Sequence, residues 1–510
     1  MTTDVQLDTL ESKGLIRVAV VQPELEYLFR HSLVQDAAYG SLLKQERRDL
    51  HARVGEALET LYPERRSELA AVLAMHFEQA GDIDRAIDYL IEAGQYGYRR
   101  FAIQEAYAAF DRAGRLLGEH PGADDGRRRW LRVRIELGKA ESGYAFRPTE
   151  EVLAELDAIV PEAEALGDAG LLAQVHLLFA LGRLQGGASP EVPEVARSLR
   201  RIEEIGRQIG DPSLRALPLA LIGMSQVFAG SVRDGVRALE ESVPLLEERS
   251  DSIGAAFARG ALAMGYATLG QFDQAAAASR RATKIADERG DLIAQLDAMI
   301  AESWVRSLHG ELDAAVPLAQ QCVDRAEETG ATACAVASSW VLGDAFHRLG
   351  RYAEARAVLQ RGADISGVVD RKVWRPTLQA WLGSTMAALG DLDAGTWEDA
   401  LAMARSIGNR LGEAGILAKR AEAAAARGDL DAAVADYTAG AAILEAEGAR
   451  PLLARTLASW AEALRAAGRA DDAEPLLRRA LAIFQELELS REAKEVETVL
   501  SVSGTTVDFG

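Results

Sequence analysis

A chain of 510 residues with a formal charge of −21, 48% hydrophobic and 26% charged side chains is longer than a single core keeps growing, so several domains or a stacked repeat are expected. The charge is uneven: residues 1–150 hold 21 basic and 25 acidic side chains against 36 and 53 in the remainder, a balance that argues against extended nucleic-acid contact and does nothing to attract anionic membranes. Two cysteines, Cys322 and Cys334, cannot build a disulfide framework or a metal cluster; the first residues lack the flank and core of a signal peptide, and no stretch approaches the roughly 18 uninterrupted apolar residues of a membrane span. A cytoplasmic location is the default expectation.

The first element, LDTLESKGLIRVAV followed by QPELEYLFRHSLVQDAAY, has the order helix end, Gly turn, short strand, Pro turn, strand, helix. Gly14 and Pro23 punctuate it as turn residues do. This order, with Phe29-Arg30-His31-Ser32-Leu33 and then Asp36 and Ala37, resembles the closing part of the winged-helix switch domain of STAND-class signalling ATPases, including those joined to class III adenylate cyclases and to large bacterial transcription activators. The resemblance implies that His31 contacts the phosphates of bound nucleotide when an ATPase domain is present; Ser32 stands where the family motif has Asp. From the residues alone, Ser32 can equally be an N-cap with Gln35 closing a capping box, leaving His31 to hydrogen-bond at a helix entrance. The chain carries no phosphate loop of its own: the single Gly-Lys pair, Gly138-Lys139, lacks both the preceding glycine and the following hydroxyl. No zincin helix, Cys-x-x-Cys pair, nucleophile elbow or paired metal-binding aspartates are found either, so neither catalysis nor a cofactor is expected. Because the resemblance begins midway through a winged helix, it implies either a longer chain or a separate ATPase module.

Residues 61–210 read as helices of weak register. LAMHFEQAGDIDRAIDYLIEAG at 73–94 is the clearest unit, with small residues at Ala74, Ala86 and Ala93 about Gly81. Links are expected near 119–126 and 186–190. The basic run RRRWLRVR at 127–134 reads as a solvated helix face rather than a nucleic-acid contact.

From 211 to 490 a period of about 40 takes over. Turn glycines stand at Gly230, Gly270, Gly310, Gly350, Gly390, Gly428 and Gly468. Each is flanked by about 17 residues with apolar positions at helical spacing, so the unit is helix, tight turn, helix, link. Glycine fits a C′ position in left-handed conformation. Small residues recur seven before the glycine (Gly223, Ala263, Ser303, Gly343, Gly383, Ala421, Ala461), five after it (Gly235 to Ala473) and twelve after it (Ser242, Ala282, Cys322, Gly362, Ala402, Gly440, Ala480), seams along which helices can approach. Cys322 in such a seam needs no redox role. The three-fold signature, clearest in WVLGDAFHRLGRYAEARAVLQRGA at 340–363, resembles the tetratricopeptide repeat more than HEAT or armadillo units. The usual period of 34 is exceeded, so each helix should be about three residues longer. The expected fold is all-α: a right-handed superhelical solenoid of tetratricopeptide-like hairpins preceded by a small α/β wing segment. Its expected divisions are 1–60, 61–210, 211–490 and 491–510, the tail from Ser501 frayed.

The resemblance implies a concave groove lined by the first helix of each unit. Offsets of thirteen, ten, six and three before each turn glycine give Met224, Phe257, Met264, Trp304, Trp340, Asp344 and His347, then Glu422, Arg455, Glu462 and Arg465. Trp304, Trp340, Trp374, Trp381 and Trp397 cluster in one stretch; tryptophan is a frequent binding anchor and, equally, a core filler. The expected role is a non-catalytic scaffold or sensor that takes a protein, a peptide or a small inducer in the groove. The alternative is the C-terminal regulatory region of an ATP-dependent signalling protein.

Overall fold

A computed structural model describes residues 3–20, 26–100, 102–120, 124–144, 149–185, 188, 190–248, 253–368, 375–391 and 397–503. Trp374, Gly395 and the tail beyond 503 lie outside the described residues. The chain forms two compact units by contact, residues 1–97 with 104–122, and residues 98–103 with 123–510.

The first unit opens with α1 (Thr3–Ser12), then strands β1 (Ile16–Val20) and β2 (Glu26–Phe29) paired antiparallel with Ile16 opposite Phe29. Helix α2 (Ser32–Ser41) starts immediately after, with His31 at the N-cap in extended conformation and no side-chain cap bond. Ser32 is therefore the first helical residue and not the cap, because His31 already holds the extended backbone that a cap requires. Helices α3 (Lys44–Leu61), α4 (Ala70–Ala80), α5 (Ile83–Arg99) and α6 (Ile103–Glu119) follow. Gly81 ends α4 at φ +85, and Ala74 and Ala86 are buried against the neighbouring helix.

The second unit is a tetratricopeptide-like helical solenoid. Helices α7 (Asp124–Tyr144), α8 (Thr149–Ala165), α9 (Ala169–Gln185) and α10 (Pro193–Ile209) lead in. Hairpins then succeed one another: α11 (Pro212–Ala229) with α12 (Val232–Glu247), α13 (Ile253–Leu269) with α14 (Phe272–Arg289), and α15 (Leu292–Leu308) with α16 (Leu312–Thr329). They continue as α17 (Thr332–Arg348) with α18 (Tyr352–Val368), α19 (Arg375–Ala388) with α20 (Trp397–Ser406), and α21 (Arg410–Ala426) with α22 (Leu430–Glu447). The series closes with α23 (Arg450–Ala466), α24 (Ala470–Glu486) and a lone α25 (Ser490–Ser503). Most are 17 or 18 residues long, as the 40-residue period requires.

All seven turn glycines have positive φ, between 73 and 117 degrees. A second left-handed series, unread in the sequence, closes the other helix of the hairpins at Gly210, Gly290, Gly330, Gly408 and Gly448. Forty residues after Gly448 the same conformation falls on Glu488, at φ +57. The seams are tight: Ala263, Ser303, Ala421 and Ala461 are at most 1% exposed, and a Cβ on Gly235 would stand 2.7 Å from the Gly223 carbonyl oxygen. Ala402 departs from the expected seam and is exposed, while Ala400 and Ala404 are buried.

The coil of the second unit passes over itself. A Cβ on Gly230 would meet the Arg410 Cβ at 2.7 Å, one on Gly270 would meet Leu487 at 2.7 Å, and one on Gly310 would meet the Glu492 carboxylate at 2.9 Å. The turn edge of one superhelical turn thus rests on the link edge of the next, about four and a half to five and a half repeats later.

Candidate functional site

Because the first helices face inward and the coil returns upon itself, the groove of the second unit becomes a half-open chamber of about 1050 Å³. Among the lining residues are Met264, Trp304, Trp340, Asp344 and His347, with Glu422, Arg455, Glu462 and Arg465 on later helices. Met224 and Phe257 are not among them: Met224 is 7% exposed within the core cluster, and Phe257 packs against the same cluster half-buried. His31 is exposed in the first unit. Trp397 packs against the C-terminal core.

One wall is aromatic. The Trp304 and Trp340 rings lie 4.5 Å apart, tilted by 34 degrees, and Trp340 meets Trp381 edge-on at 6.1 Å. Trp304 and Trp340 are only 6% and 8% exposed, so they fill core on one side and surface the chamber on the other. Successive first helices thus each add one ring to a ladder. Gly415 makes room for it, since a Cβ there would stand 2.7 Å from the Trp381 ring.

The polar groups beside the ladder satisfy one another. The Trp381 Nε1–H donates to Asp344 at 2.8 Å. Ser384 donates to Glu422 at 2.7 Å, and Lys419 reaches both Glu422 oxygens at 3.1 Å while standing 5.5 Å above the Trp381 ring. His347 bonds Thr385 through Nδ1 at 3.0 Å, with Nε2 3.7 Å from Glu422. Burial works against the Glu422 charge, but Lys419, His347 and Ser384 outweigh it and hold its pKa at about 2.

The facing wall is ionic. Arg348 donates to the Ser307 carbonyl at 2.7 Å and to Glu492 at 3.0 Å; Arg455 donates to the Leu308 carbonyl at 2.7 Å and to the same Glu492 at 2.7 Å. Two arginines from different superhelical turns therefore share one carboxylate while each also donates to a carbonyl at the end of α15. Burial lowers the Arg348 pKa to about 10, with Arg455 adding to the effect. Burial opposes ionisation of Glu492 too, yet Arg455 and Arg348 win and keep its pKa below the ordinary 4.5.

Elsewhere on α15, Asp297 lies beside Cys334, whose sulfur is 3.7 Å away. Burial raises the Asp297 pKa to about 7, and Asp291 adds to the rise. Tyr98 faces the same group. Cys322 is fully buried in its seam, which pushes its thiol up to about 12. Among the described residues no cluster of three or more metal-ligating side chains occurs, and no helix is long and apolar enough to cross a membrane.

Reading by offset missed Arg348, Lys419 and Glu492. Arg348 and Lys419 fall between the groove offsets, and Glu492 follows the last turn glycine, where no repeat mark remains. Ser384 does hold a groove offset and passes unnoticed because a lone serine carries no chemical signal.

No family model matches the chain. An uncharacterized protein of Rhizobium meliloti (strain 1021) is 31% identical over 121 residues, 23% of this chain and 11% of that protein; the chain spans about a tenth of the length of this curated relative. Among solved structures, a Rap protein complexed with Competence and Sporulation Factor superposes with a TM-score of 0.53 at 16% identity, covering 70% of this chain and 98% of that one. That similarity extends to the fold. A STAND protein with a tetratricopeptide repeat sensor from Pyrococcus horikoshii aligns over 97% of this chain and 72% of its own at 13% identity, but its TM-score of 0.35 carries no weight for the fold.

Proposed function

We propose that the chain is a non-catalytic scaffold or sensor of the cytoplasm, in which residues 211–490 hold a ligand in the chamber and residues 1–60 couple it to a partner. The observation that carries this reading is the aromatic ladder of Trp304, Trp340 and Trp381 along the chamber lining, with Asp344, His347 and Glu422 fixed beside it by internal bonds. Rings backed by a rigid frame bind without first being ordered, which is the cheapest way to gain affinity. The Rap protein of similar fold was solved with a bound factor, and an inducer or peptide held here is the corresponding role. A thermal-shift screen of metabolites and short peptides tests it, because a ligand of the folded form at 100 times its Kd stabilises by about 2.7 kcal/mol. Hits abolished by Trp340→Leu support the chamber; hits indifferent to it, or none, count against it.

A second reading draws on the first unit. Twelve of the fourteen exposed large hydrophobic side chains among the described residues lie between Val5 and Met75, Leu33 at 78% and Leu43 at 70%. Such a surface suits a neighbouring domain, and an upstream or separate switch ATPase is the partner that the helix, hairpin, helix order suggests. His31, at the head of α2 with no cap bond, would then reach nucleotide phosphate. Joining the chain to such a partner and replacing His31 with Ala should weaken ADP retention; unchanged retention removes the switch role.

A further inference from the structure

We infer that the chamber takes a small, uncharged, planar aromatic molecule set against the exposed margin of the tryptophan ladder. The inference rests on the sensor reading above and deepens it by naming the ligand class.

Size comes first. A groove open along its length accepts a helix or a folded domain, but this one is narrowed by its own second turn: Gly230 lies against Arg410, Gly270 against Leu487, and Gly310 against Glu492. What remains, about 1050 Å³, matches the upper range of small-molecule sites and is too small for a protein domain.

Charge comes second. The lining carries five carboxylates and five Lys or Arg side chains, so it presents no net field to steer or hold an ion. The charges nearest the rings are already matched: Glu422 by Lys419 and Ser384, and Asp344 by the Trp381 indole N–H. A charged ligand would shed its own hydration while breaking one of these partnerships, which selects against it. The cation-binding face of Trp381 is likewise taken, because Lys419 stands over it at 5.5 Å.

Shape comes third. Trp304 and Trp340 form a tilted pair at 4.5 Å, 34 degrees between ring planes, and Trp381 stands edge-on to Trp340. Offset stacking and edge contact are the two arrangements a flat ring accepts from aromatic neighbours.

The test compares three naphthyl probes of one shape and different charge by calorimetric titration at pH 7: 2-naphthol, naphthalene-2-sulfonate and trimethyl-2-naphthylammonium. The expected result is that 2-naphthol binds at least tenfold more tightly than either ion. Trp340→Leu should weaken it at least tenfold, whereas Trp130→Leu, outside the chamber, should not. Should Trp340→Leu fail to fold, Ser459→Phe, which fills the chamber from the facing wall, must abolish binding instead. Either ion binding as tightly as 2-naphthol, with the same sensitivity to Ser459→Phe, overturns the uncharged class and leaves the sensor reading standing. If no probe shows binding that depends on Trp340 or Ser459, the planar aromatic class falls, and the sensor reading is decided by the screen of metabolites and peptides alone.

Discussion

The two walls of the chamber are built from the same hairpin and differ in almost everything that faces inward. Between Leu292 and Ala388 the first helices present three indole rings beside Asp344, His347 and Arg348; from Arg410 to Ser503 the described lining carries carboxylates, arginines and Lys419 but no indole. The seam residues are alike in both, since Ser303 and Ala461 at one offset and Ala315 and Ala473 at another are all at most 1% exposed. The lesson is a division of labour within the repeat. Small residues between helices specify the coil, and the inward offsets are left to chemistry: one wall carries the aromatic ladder, the other fastens the coil to itself.

That contrast can be broken from the ionic side first. Glu492→Ala leaves Arg348 and Arg455 buried with like charges facing, and should cost about 3–5 kcal/mol in urea unfolding; an unmoved midpoint would mean that the turns hold without ions. The sign with pH is defined. The Glu492 pKa is depressed in the folded chain, so its contribution is present above about 4.5, its unfolded value, and fades as pH falls through the folded one. Next comes the shared seam. Gly235→Ala must push apart two backbones, with the Gly223 oxygen 2.7 Å from the added Cβ, and should lose about 3 kcal/mol, while the same exchange at exposed Gly118 should lose nothing. On α15, away from the chamber lining, Asp297→Asn should stabilise by about 2 kcal/mol at pH 8 and by much less at pH 4. Its pKa is raised to about 7 in the folded state, so wild-type stability falls as pH rises from about 4 to 7 and then levels off. A melting curve for the variant parallel to wild type across that range would remove the effect. The smallest change is a gain: Glu488→Gly relieves the single non-glycine residue at positive φ among the described residues and should add about 1 kcal/mol to the last hairpin.

The coil was legible in the sequence because its determinants are local and periodic. Gly270, Gly310 and Gly350 mark turns whatever surrounds them, and Ala263 or Ala355 can lie only where two helices touch. The link glycines Gly290, Gly330 and Gly448 were equally periodic, but a glycine at the end of a link reads as generic loop until the helix before it is seen to reach it. The site was half legible. Trp304 and Asp344 follow from a repeat offset, whereas Met224 shows that an inward offset near the start of the series is taken up by core. The Arg348–Glu492 pair spans 144 residues of sequence, and the superhelical pitch that joins them depends on the sum of small rotations between hairpins, which no single residue encodes.

A stack of hairpins that touch only their neighbours melts piecemeal, since each repeat answers to the two beside it. Here the rest of one turn upon the next, at Gly230, Gly270 and Gly310, ties repeats that are strangers in sequence. Unfolding should accordingly be one sharp, cooperative event across the solenoid, and removing the last helix should raise hydrogen exchange not only at the new end but also around residues 305–312, deep inside the chain.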